Sequence, residues 1–75
     1  MKKQEAYFER ERMLYVVAVV KDNKDEASLH MGRMQGYKAA LGNMGVDFEK
    51  IRDLHDRIMN AIDFAYRMRR RYKKK

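Results

Sequence analysis

Nucleophilic chemistry has a single aliphatic hydroxyl to draw on, Ser28, because the 75 residues contain no Cys and no Thr. Ser28 falls at the start of a helical stretch. His30 and His55 are the only imidazoles. His55 stands beside Asp53 and Asp56, a grouping that would suit acid–base or metal chemistry, but helix neighbours one or two positions apart do not face each other. His55 lies at the margin of an apolar stripe and His30 inside one, so both read as packed or half-exposed histidines. Two histidines and scattered carboxylates do not make a metal set or a catalytic one. The expectation is therefore a non-enzymatic chain with no catalytic residue, no metal and no cofactor.

The last twelve residues carry a stronger signal. Arg67, Arg69, Arg70, Arg71, Lys73, Lys74 and Lys75 are seven cations with no acid among them, and Tyr66 and Tyr72 are interleaved. Residues 1–22 are net +1 and residues 23–63 net −1, so the whole excess of +7 belongs to this tail. Arginine can fork onto phosphates, tyrosines can stack on unpaired bases, and a cluster of cations releases counterions when it meets a polyanion. Basic residues also complement a helix dipole and aid solubility, but one or two charges satisfy the dipole. These residues are the expected nucleic-acid contacts, Tyr72 included, with DNA or RNA bound through phosphates and without sequence preference. The alternative is an interaction module or inhibitor encoded by a mobile element, docking on an acidic host protein.

Three helices are expected to position these groups, near residues 4–21, 24–42 and 47–70. Absence of Pro, seven Met and abundant Lys, Arg, Glu and Asp favour helix throughout. The first helix contains eight consecutive apolar residues, 13–20. Ala6, Tyr7, Met13, Leu14, Val17 and Val20 recur at helical spacing and are assigned to the core face. Phe8, Tyr15 and Val19 lie on the far side, with Val16 between. Val16, Val17, Val19 and Val20 are also good strand formers, so a strand paired between two copies is the competing reading.

Asn23 is positioned to cap the second helix, with Glu26 reaching back to it. Ala27, Met31, Met34, Tyr37 and Leu41 form its apolar face with His30. Ser28, Gly32, Gly36 and Ala40 make a small-residue line opposite, a spacing that permits close backbone approach. Gly42 or Gly45 can end this helix and Asp47 can begin the third. There Ile51, Leu54, Ile58, Ala61, Ile62 and Ala65 form a clean stripe that ends at Ala65. Residues 1–66 are thus read as a helical body and 67–75 as a basic extension. The methionines sit mostly at core spacing and are read as packing.

A helix-turn-helix reading of the second and third helices fails on charge. The would-be recognition helix opens with Asp47, Glu49, Asp53 and Asp56, which phosphates would repel.

Residues 30–47, His-Met-Gly-Arg-Met-Gln-Gly-Tyr-Lys-Ala-Ala-Leu-Gly-Asn-Met-Gly-Val-Asp, resemble a segment in short accessory proteins of phages and mobile elements of Gram-positive bacteria. The shared features are a Gly-Arg-x-x-Gly-Tyr helix, then Ala-Leu, then a Gly turn. The resemblance implies a small helical protein of phage or mobile-element origin and assigns no activity.

A chain of this length is near the size at which one core is marginal, and it has no disulfide or zinc set to reinforce it. Self-association is the expected remedy, as a dimer or higher oligomer. Phe8, Tyr15, Val16, Val19, Gly32 and Gly36 are the expected interface. No stretch reaches the roughly 20 apolar residues that span a bilayer. A cytoplasmic protein with no membrane partner is expected.

Overall fold

Local capping chemistry divides the chain into three helices. A computed structural model describes residues 2–73 of the backbone and 5–73 of the side chains. Helix α1 runs Lys2–Val20, α2 Lys24–Asn43 and α3 Phe48–Lys73, and no strand occurs among the described residues. The valine-rich run is therefore helical, and the bounds agree with expectation to within a few residues.

Each turn ends one helix by the same device. Asn23 N–H donates to the Ala18 carbonyl at 2.8 Å and Asp22 N–H to that of Val19 at 3.0 Å, the paired bonds of a Schellman motif. Asp22 takes the left-handed conformation this requires, with φ 61°. Val46 N–H donates to the Leu41 carbonyl and Gly45 N–H to that of Gly42, both at 3.1 Å, with Gly45 at φ 79°. Glycine adopts that conformation without steric cost.

Asn23 also caps α2, its side-chain oxygen accepting from Glu26 N–H at 3.2 Å. Only half of the expected reciprocal box forms. The Asn23 amide is committed to Ala18, and the Glu26 carboxylate turns to His30 instead.

Phe8, Tyr15, Val19, Met34, Leu54, Ile58 and Ala65 form the core, with Met31, Tyr37, Leu41 and Ile62 packed against it. Helix α1 packs on both other helices, which touch each other least. The whole measures 45 × 20 × 19 Å.

This arrangement reverses the face assigned to α1. Phe8, Tyr15 and Val19, expected at an interface with a second copy, are buried within the chain, and Val16 is half-buried against them. Met13, Leu14 and Val17, expected in the core, are 61%, 40% and 48% exposed, and Ala6 and Tyr7 are exposed with them. Each stripe contains one charged intruder, and the intruders decide the outcome. Arg10 lies in the stripe of Met13 and Val17, and its side chain stays exposed at 68%, reaching the bundle only by a 3.9 Å approach to Glu11. Glu11 lies between Phe8 and Tyr15, and there it meets His30. The buried stripe also carries Phe8 and Tyr15, the larger apolar payload.

Gly32 and Gly36 open outward. A Cβ at either would meet no atom within 4 Å, so no backbone among the described residues approaches them.

Candidate nucleic-acid interface

Helix α3 remains regular to Lys73, so the basic residues are presented on a helix. They divide into two kinds. Arg67 is exposed and bonded to Asp63 one turn back, a surface pair of the sort worth a few tenths of a kcal/mol. Arg69 is half-buried. Its side chain is 25% exposed, and its guanidinium reaches Asp22 Oδ1 at 2.9 Å in the α1–α2 turn. Met68 beside it is also half-buried, so packing continues beyond Ala65, where the apolar stripe ends. Arg69 is thus a clamp, with its Nε buried and without a partner among the described residues.

Arg70, Arg71 and Lys73 are exposed, and none makes an ion pair among the described residues. Tyr72 is exposed between them, and Tyr66 is exposed nearly two turns earlier. Lys74 and Lys75 lie outside the described residues.

The clamp enlarges the basic region. Ala18, Val19, Asp22, Asn23, Lys24, Ala27, Tyr66 and Arg69 line one small cavity of about 50 Å³. The turn therefore brings Lys21 and Lys24, both exposed, to the same end as the tail cations. Periodicity along α3 contains no sign of these two lysines, because they reach the tail only through a contact between residues 22 and 69. Asp25 and Glu26 in the first turn of α2, the latter paired with His30, and the paired Asp22 and Asp63 are the acids at this end.

A second polar cluster lies inside the bundle. Glu11 is 0% exposed, and its Oε1 is 2.6 Å from His30 Nδ1. His30 Nε2 is 3.1 Å from Glu26 Oε2. Ionised carboxylates only accept, so the ring is placed to donate from Nδ1 to Glu11. Arg33 Nη1 stands 3.5 Å from Glu11 Oε1, and Arg10 Nε stands 3.9 Å from Oε2. Burial alone would push the Glu11 carboxyl up. The His30 hydrogen bond and the charges of Arg33 and His30 outweigh it, holding the group below its ordinary value of 4.5. The phenol of Tyr15 is pushed up, first by burial and then by the neighbouring Tyr66.

A glutamate three residues after Phe8 and four before Tyr15 on α1, facing a histidine inside the apolar stripe of α2, is the signal that identifies this pair. It was legible for His30 alone. Ser28 and His55 are exposed, and neither takes part in the cluster. His55 Nδ1 lies 3.2 Å from Lys38 Nζ on the surface. No group of three or more His, Cys, Asp or Glu is arranged to hold a metal ion among the described residues. None of the described helices is long and apolar enough to cross a membrane.

Comparison with family models, with curated proteins and with solved structures found no match to this chain.

Proposed function

We propose that this protein is a non-enzymatic accessory or regulatory factor that contacts nucleic-acid phosphates through one basic end of its helical bundle. The observation that carries this reading is the Arg69–Asp22 clamp. It joins Lys21 and Lys24 of the turn to Arg70, Arg71 and Lys73 of α3 in one exposed cationic surface. The density of cations exceeds what a helix dipole requires, and Tyr66 and Tyr72 supply aromatic faces for unpaired bases. Contacts of this kind position a protein on nucleic acid without reading sequence.

The test is a truncation chosen to spare the clamp. Residues 1–69 and the full chain are compared for binding to labelled duplex and single-stranded DNA at equal salt. The reading expects at least tenfold weaker binding by the truncated form, alike for unrelated sequences. Equal affinity of the two forms would overturn the assignment to this end. Absence of binding by both would favour docking on a partner protein.

A further inference from the structure

The side of the α1–α2 hairpin turned away from α3 is apolar at its centre, with guanidiniums towards one end and carboxylates, one lysine among them, towards the other. Leu14 and Val17 of α1 are 40% and 48% exposed, and Leu29 of α2 is 48% exposed. The Glu11–His30 bond and the Tyr7–Tyr37 ring contact at 5.9 Å fix the register of the hairpin. In that register Leu14 stands level with Leu29, and Val17 continues the patch one turn on. Towards one end lie the exposed guanidiniums of Arg10 and Arg33. Towards the other lie Asp25 and Glu26, with Lys21 beside them.

We infer that this face binds a second copy of the chain, the two hairpins related by a two-fold axis near Leu29. A patch with unlike ends is self-complementary under such an axis, because each end meets the opposite end of the partner. Asp25 and Arg33 each lie four residues from Leu29, on opposite sides and along one ridge of α2. Antiparallel pairing about Leu29 therefore sets each Arg33 against the other copy's Asp25. Arg33 keeps donors for this contact, since its reach to Glu11 is 3.5 Å. The neighbouring ridge of α2 holds Ser28, Gly32 and Gly36, with open space above both glycines. A ridge carrying Leu29 can settle beside that low ridge, as ridges-into-grooves packing requires. The pairing covers the apolar surface of α1 that the bundle leaves bare.

Because the chain has no Cys, single cysteines report the pairing directly. Leu29→Cys should cross-link to a disulfide dimer under mild oxidation at least tenfold faster than Gln35→Cys, which lies on α2 away from the axis. Light scattering should give a dimer mass for the native chain at micromolar concentration. Leu29→Asp should give a monomer with unchanged far-ultraviolet circular dichroism, and Asp25→Lys should weaken the dimer at least tenfold. Equal cross-linking of the two cysteines would overturn the inference even if Leu29→Asp failed to fold. So would a native monomer, which would leave this face to a different partner, or a dimer indifferent to Leu29→Asp.

Discussion

Glu11 shows how one residue can settle the orientation of a helix. A carboxylate with no exposure is tolerated only when its charge is compensated, and here the imidazole of His30 donates to it at 2.6 Å. Removing one partner of a buried pair leaves the other uncompensated, at a cost of about 3–5 kcal/mol. Glu11→Ala should therefore lower the unfolding free energy by roughly that amount in urea titrations. Replacing Glu11 and His30 together by leucine should cost much less, since no buried charge is then stranded. The pH dependence has a definite sign. The Glu11 carboxyl is held below 4.5 in the folded chain, so its contribution is fully present above pH 4.5. It is lost as pH falls below that value and through the lowered one. Unfolding curves of the native chain and Glu11→Gln should accordingly converge in acid and separate above pH 4.5.

At the scale of the helices, legibility in the sequence followed how cleanly each apolar stripe stood apart. Helix α3 has one stripe, Leu54–Ile58–Ala61–Ala65, opposed by Asp53, Asp56 and Asp63, and that face is the buried one. Helix α1 is apolar nearly all round, so periodicity offers two faces and cannot choose between them. The choice rests on a contact across 19 positions, Glu11 with His30, which spacing within one helix does not display. Caps were legible because they are local, as Asn23 and Gly45 show. Gly45→Ala places a Cβ in the left-handed conformation and should cost about 1–2 kcal/mol, read as a lowered melting temperature. The Arg69–Asp22 contact was hidden for the same long-range reason. Arg69→Ala should destabilise by about 1 kcal/mol, while deletion of residues 70–75 should leave the melting temperature within a degree or two.

For the whole molecule, the fold sorts charge into a neutral bundle and one cationic end. The long axis of 45 Å places that end away from the Glu49 and Asp53 region where α3 begins. The proposed function depends on the turn and the tail acting as one surface, so the lysines of the turn are the decisive residues. Affinity for duplex DNA should fall with salt along a log–log line of slope about −0.9 per phosphate neutralised. The most direct test measures that slope for the native chain and for Lys21→Gln/Lys24→Gln, a variant that leaves the tail intact. A slope shallower by about 0.9 for each lysine that contacts a phosphate, with weaker binding to all sequences alike, is the predicted result. An unchanged slope and affinity would contradict the joint surface and leave any binding to the tail alone.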